Sequence, residues 1–167
     1  WTFSGGVGPT ITTVVGKESP FTATPDGMAA KLLDTSTSNG SGAGMQQALS
    51  LPTDQKVTLS FDYRVHSIGG STQIYEPLVR IYGSALGLYL DVFHYNTTTQ
   101  GYELGYIKPA GYQVLQTGLQ LDTWYRISAT LAPAGTSNDV VESLTITQDG
   151  GESHTYTNLP FRASVPM

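Results

Sequence analysis

The sequence predicts an all-β fold, with two antiparallel sheets packed face to face as a sandwich. The first observation is strict alternation. In Lys56–Val65, Val57, Leu59, Phe61, Tyr63 and Val65 alternate with Thr58, Ser60, Asp62 and Arg64. In Leu86–Tyr95, Leu86, Leu88, Leu90 and Val92 alternate with Gly87, Tyr89, Asp91 and Phe93. Successive strand side chains point to opposite faces, so each run has one apolar face and one polar or aromatic face. The second observation is spacing: about a dozen such runs recur roughly every 8–12 residues, a rhythm of sandwiches and barrels. The third is composition. Only 13% of residues are charged, while Thr and Tyr are plentiful and 19 Gly and 9 Pro supply turns.

The elements follow in order. Trp1–Phe3 and the β-branched Ile11–Val15 read as strands, separated by a Gly/Pro-rich loop. Met28–Asp34 has helix-compatible composition but is short and follows the turn signal Asp26-Gly27, so a strand is expected. Met45–Leu51 is a strand ended by Pro52. Three consecutive strands follow, at Lys56–Val65, Gln73–Tyr82 and Leu86–Tyr95. Pro77 cannot donate a ladder hydrogen bond, which predicts an edge position or a bulge. Asn96–Gly101 is a hairpin loop into Tyr102–Ile107, and Pro109–Gly111 turns into Tyr112–Gln116. Trp124–Ala132 alternates Tyr125, Ile127, Ala129 and Leu131 inward with Arg126, Ser128 and Thr130 outward. Val140–Gln148 and Glu152–Thr157 form a hairpin about Asp149-Gly150-Gly151, and Phe161–Val165 closes the chain. No repeat or second domain is visible, so residues 1–167 are expected to form one sandwich domain.

A net charge of −5 and the lack of any Lys/Arg run argue against nucleic acid, since phosphate contacts need a basic surface. No apolar segment has the length of a membrane span. With no cysteine, disulfides, thiolate-bound zinc and thiol catalysis drop out together. Low charge, no disulfide and a start at Trp1 favour a bacterial extracellular or cell-surface protein, as a module of a longer secreted chain. Two N-glycosylation patterns, Asn39-Gly-Ser41 and Asn96-Thr-Thr98, carry little weight in a Thr-rich chain.

From Val57 onward the order of elements resembles the concanavalin A-like jelly roll, especially its laminin G-like branch. The residues that carry the likeness are Leu59–Val65, the pair Leu78–Tyr82 and Leu86–Val92, the leader Asp122-Thr-Trp-Tyr-Arg-Ile127, and Leu144–Gly150 with its Asp-Gly turn. The resemblance covers about two thirds of the chain and implies a jelly-roll sandwich. Domains of this size in that superfamily are mostly carbohydrate-binding modules, lectins or adhesion domains. Its glucanases carry closely spaced acids on one strand, whereas Asp62, Glu76, Asp91, Glu103 and Glu142 are isolated here. Its alginate lyases use a Gln-Ile-His motif, where this chain has Gln73-Ile-Tyr75.

No nucleophile motif or phosphate loop occurs. His66, His94 and His154 lack metal-ligand spacing and read as scattered histidines. No cofactor is expected beyond a structural calcium ion, for which Asp26, Asp34, Asp54 and Asp139 are candidates; each reads equally well as a turn residue.

Alternation does single out one set of residues off the core. Arg64, Arg80, Tyr82, Tyr89, Asp91 and Arg126 fall on outward positions, joined by Asp62 and, by the same count, Phe93 and Tyr95. Placed on one concave sheet, they would form a sugar-binding face. Aromatic rings stack on pyranose C–H faces, and Asp and Arg bond to paired hydroxyls. Grouped arginines would suit an acidic polysaccharide. Cross-strand Arg–Asp and Arg–Tyr pairs also stabilise an ordinary solvated sheet face, the plainer reading of the same residues. The expected function is a non-catalytic carbohydrate-binding module, with other modules of the longer chain as partners. The alternatives are a structural or adhesion domain and a small glycosidase or polysaccharide lyase. The site could equally lie in the rim loops Ser36–Gly44, His66–Thr72 or Asn96–Gln100.

Overall fold

The computed structural model describes residues 2–5, 10–15, 20–21, 28–33, 43–46, 55–66, 78–82, 86–108, 110–132 and 140–160, with side chains at 20–21, 55–66, 80, 89–108, 110–132 and 141–160. Among them are twelve strands and no helix, so no helix is long and apolar enough to cross a membrane. The strands are β1 (Thr2–Gly5), β2 (Thr10–Val15), β3 (Met28–Leu33), β4 (Ala43–Gln46), β5 (Val57–Arg64), β6 (Leu78–Tyr82), β7 (Leu86–Asn96), β8 (Gly101–Lys108), β9 (Gly111–Leu119), β10 (Trp124–Leu131), β11 (Val140–Gln148) and β12 (Ser153–Pro160).

The chain falls into two compact units, Trp1–Ser50 with Gly69–Ser71, and Leu51–Ile68 with Thr72–Met167. In the first unit β1 pairs with β4 and β2 with β3, all antiparallel. The helix-compatible Met28–Leu33 is thus a strand. Its register runs Val15↔Met28 to Thr10↔Leu33, against a partner rich in Val, Ile and Thr. Ladder pairing with a β-branched strand outweighs the weak helix preference of Met, Ala and Leu.

The second unit is a β-sandwich. Sheet I has the order β12-β11-β10-β5 and sheet II the order β6-β7-β8-β9. The chain crosses between sheets after β5 and again after β9, and hairpins make the rest. Strand β10 shows the rule most plainly. Tyr125, Ile127, Ala129 and Leu131 are buried, while Trp124, Arg126, Ser128 and Thr130 alternate with them, half-buried on the other face. Sheet I adds Val141, Leu144, Ile146 and Leu159 to the core; sheet II adds Leu90, Val92, Phe93, Leu104, Tyr106, Leu115 and Leu119.

Tyrosines tie the sheets together. Tyr63 of β5 stacks on Tyr125 of β10 at 5.5 Å, and its hydroxyl donates to the Val92 carbonyl of β7 at 3.0 Å. Tyr156 of β12 donates to the Leu115 carbonyl of β9. At the crossover into β10, the Gln120 amide donates to the Tyr125 hydroxyl at 2.8 Å and the Asp122 amide to the Val65 carbonyl at 2.8 Å.

Burial pushes the Tyr63 phenol well above its ordinary range, with the neighbouring Tyr125 and Asp91 adding to the rise. It pushes the Tyr106 phenol up to about 12. An unfolded tyrosine ionises near pH 10. These groups favour the folded state fully below pH 10, and that contribution fades as pH rises toward 12 and beyond. Urea unfolding measured across pH 9 to 12 should therefore show stability falling above about pH 10, by about 1.4 kcal/mol per pH unit for each phenol that stays protonated only when folded. A flat profile would mean that both hydroxyls are open to water.

Candidate functional site

The six residues singled out by alternation do not share one face. Arg64 and Arg126 lie on β5 and β10 of sheet I; Arg80, Tyr82, Tyr89 and Asp91 lie on β6 and β7 of sheet II. The expectation of a single face required β5 and β6 to be sheet neighbours. Instead β5 pairs with β10, in the register Val57↔Leu131 to Arg64↔Trp124. Alternation tells which side of its own sheet a residue faces, but not which sheet that is.

The outer face of sheet I is closed upon itself. Asp62 takes Arg126 through both oxygens, at 2.6 Å from Nε and 3.0 Å from Nη2. That bond holds the Arg126 guanidinium above its ordinary pKa. The Arg64 guanidinium lies 5.1 Å from the Trp124 ring centre. The remaining positions form cross-strand hydroxyl pairs: Thr58–Thr130 at 2.9 Å, Ser60–Ser128 at 2.7 Å, Thr145–Thr155 at 2.9 Å and Thr147–Ser153 at 2.9 Å. Such pairs contribute about 0.2–1 kcal/mol each to the sheet. This is the plainer of the two readings of Arg64 and Arg126.

The outer face of sheet II is different. Arg80 and Tyr89 face each other across β6 and β7. The guanidinium lies 4.6 Å from the Tyr89 ring centre and donates to its hydroxyl at 3.0 Å, so this ring already carries a partner. Tyr82 sits past a register shift between Ile81 and Tyr82. Pro77 lies outside the described residues, and from Leu78 to Ile81 the ladder is regular, so Arg80 keeps the expected side.

Further along β7 the register breaks between Asp91 and His94. Asp91 pairs with Gly105 and His94 with Glu103, leaving two residues of β7, Val92 and Phe93, against Leu104 alone. This β-bulge reverses the parity of everything beyond it. Phe93, expected outward, is fully buried and stacks on Tyr102 at 4.6 Å. Tyr95 packs on Tyr102 as well, at 5.2 Å. His94, which alternation assigned to the core side, instead joins Asp91 outside.

The bulge thereby gathers a polar cluster. Asp91 is 1% exposed and Glu103 3% exposed, although both occupy outward positions. Asp91 Oδ2 lies 3.2 Å from His94 Nδ1, and its Oδ1 accepts the Phe93 amide at 3.4 Å. An ionised carboxylate only accepts, so the pair favours the tautomer with the proton on Nδ1. Glu103 Oε2 accepts Asn96 Nδ2 at 2.9 Å. Asn96 Oδ1 in turn accepts the amides of Thr98 and Thr99, which fixes the β7–β8 turn. With its amide committed at both ends, Asn96 is held in place as a structural residue, and its glycosylation pattern has a local explanation.

Over this cluster lies Tyr112 of β9. Its ring atoms come to 2.0 Å from the place where a Cβ at Gly105 would stand, so the ring occupies space that only a glycine leaves open. It packs on His94 at 5.2 Å and remains 41% exposed. Val114, next on the same face of β9, is equally exposed. Sequence reasoning gave Tyr112 no role and took Glu103 and His94 as isolated. The available signal was Gly105 inside a strand, which marks a close approach.

Among the described residues no group of three or more His, Asp or Glu could hold a metal ion. Asp26, Asp34, Asp54 and Asp139, and most of the rim loops at 36–44 and 66–72, lie outside the described residues. His66 pairs with Asp122 at 2.5 Å, well exposed. No protein-family model, curated protein or solved structure matches the chain.

Proposed function

We propose that the chain is a non-catalytic carbohydrate-binding module, and that its site is the outer face of sheet II. One observation carries this reading: an exposed tyrosine ring held over a strand glycine, beside two carboxylates that are almost fully buried yet sit on outward positions. A partly exposed tyrosine ring suits the C–H face of a pyranose. The almost fully buried carboxylates, fixed by His94 and Asn96, make a preorganised polar floor that holds His94 beside the ring, so little has to be ordered on binding. The likeness in strand order to jelly-roll lectins and binding modules supports the same class, and other modules of a longer extracellular chain would be its partners.

The ligand is a neutral polysaccharide. The acidic-polymer expectation needed grouped arginines, and Arg64 and Arg126 belong to the other sheet, the latter occupied by Asp62. The sheet II cluster holds two carboxylates beside a single arginine, Arg80, so a uronate or sulfate would meet like charge. Native gels cast with neutral polymers (glucans, mannans, xylans) and with acidic ones (alginate, pectate, sulfated glycans) test this directly. Retardation by at least one neutral polymer is expected. Retardation by acidic polymers alone would overturn the neutral assignment, and none at all would overturn the module.

The Asp91–His94 pair favours one second reading, a polysaccharide-cleaving enzyme. A buried aspartate orienting a histidine on a ligand face is an arrangement for moving a proton. Release of new reducing or unsaturated ends from any of those polymers would establish it.

A further inference from the structure

Away from sheet II's outer face, the edge strands β9 and β12 border a recess of about 310 Å³ lined by Leu115, Gln116, Thr117, His154 and Tyr156. The Tyr156 hydroxyl donates to the Leu115 carbonyl across it. Gln116 pairs with Leu104, just beyond the β9 register shift. Its side-chain oxygen Oε1 is closed to solvent and accepts no hydrogen bond from the protein. A buried acceptor left without a donor costs roughly 1–3 kcal/mol.

The lining sets the chemistry of a ligand there. No carboxylate, lysine or arginine lines the recess, so a charged ligand would find no counterion. Gln116 and His154 offer an amide and an imidazole, and Tyr156 offers an aromatic ring; Thr117, opposite Glu103, lines the recess from the outward side of its strand. The volume lies at the lower end of small-molecule sites.

We infer that this recess is a second, end-on subsite that takes one neutral monosaccharide unit, with a ligand hydroxyl bonding to the Gln116 side-chain amide. The inference rests on the sheet-face reading for the class of ligand, but not for the place. It gives the module two contacts with polysaccharide: one along a chain at Tyr112 and one at a chain end.

The test is a ¹H–¹⁵N titration with methyl glucoside, methyl galactoside and methyl xyloside, in the wild type, Gln116→Leu, His154→Phe and Tyr112→Ala. At least one glycoside should shift the Gln116 side-chain amide and the backbone amides of Thr117 and His154. Gln116→Leu should weaken that binding about tenfold or more while raising the melting temperature without sugar, because it removes an orphaned acceptor. His154→Phe, at an exposed lining position, should weaken binding with no change in melting, which keeps the test sound if the leucine variant folds poorly. Tyr112→Ala should leave these shifts intact. Shifts confined to the Tyr112 face would overturn the second subsite and leave the module standing. No shift anywhere, together with no retardation in polysaccharide gels, would overturn both. Full recess binding by Gln116→Leu would overturn Gln116 as the contact.

Discussion

Tyr112→Ala is expected to release the chain from its polysaccharide. A fully engaged tyrosine anchor costs about 2 kcal/mol or more when truncated, roughly a thirtyfold loss of affinity. The melting temperature should barely move, because Tyr112 is 41% exposed and stands outside the core. Gly105→Ala reaches the same ring from beneath. The new Cβ would lie 2.0 Å from Tyr112 Cε2 and Cζ. Those atoms are the far end of a side chain, so the ring can swing away and the sheet can survive. Gly105→Ala should therefore bind as poorly as Tyr112→Ala, and the double variant should bind no worse than either. Isothermal titration with the retarding polymer's oligomers measures all four corners of the cycle. Wild-type affinity in Gly105→Ala would show that the ring's position over the glycine is irrelevant to binding.

The largest effect on stability is expected at Tyr125. It is fully buried, stacks on Tyr63 and holds the β9–β10 crossover through the Gln120 amide. Tyr125→Ala should cost about 4 kcal/mol, in the range of large aromatic truncations. That corresponds to a fall in melting temperature on the order of 10 °C for a chain of this size. Tyr125→Phe keeps the packed ring and removes only the hydroxyl. Since Gln120 is exposed, its freed amide turns to water, and the loss should be about 1 kcal/mol. Urea denaturation of both variants separates packing from hydrogen bonding. Equal losses would mean that the crossover bond, rather than the ring, holds the sheets together.

Much of the fold was legible because period-2 alternation is local. The runs at 57–64, 124–131 and 140–148 became strands with the expected core faces, 86–96 became a strand that keeps them from Tyr89 to Val92, and the Asp149-Gly150-Gly151 turn took its hairpin place with Gly150 at φ 67°. Strand partners were not legible, since pairing β5 with β10 depends on contacts across more than sixty residues. That gap separated Arg64 and Arg126 from Arg80 and Tyr89. The site was half legible. Arg80, Tyr89 and Asp91 precede the bulge and keep their expected side. Phe93, His94 and Tyr95 follow it and exchange sides, because nothing in Leu-Asp-Val-Phe-His announces an extra residue. Tyr112 was missed because its role comes from an empty Cβ position on the neighbouring strand.

The bulge at Val92–Phe93 makes the proposed site a matter of counting as much as of chemistry. Every side chain it needs would also be kept if Val92 alone were deleted. Phe93 would then stand alone opposite Leu104 and still face the core, and His94 would stay opposite Glu103, with the ladder regular and the bulge gone. The extra residue therefore sets the step between Asp91 and His94, and with it the approach of the two side chains, rather than the side on which His94 lies. In a relative of this chain, the number of residues between Asp91 and His94 would bear on the proposed site as directly as the identity of either.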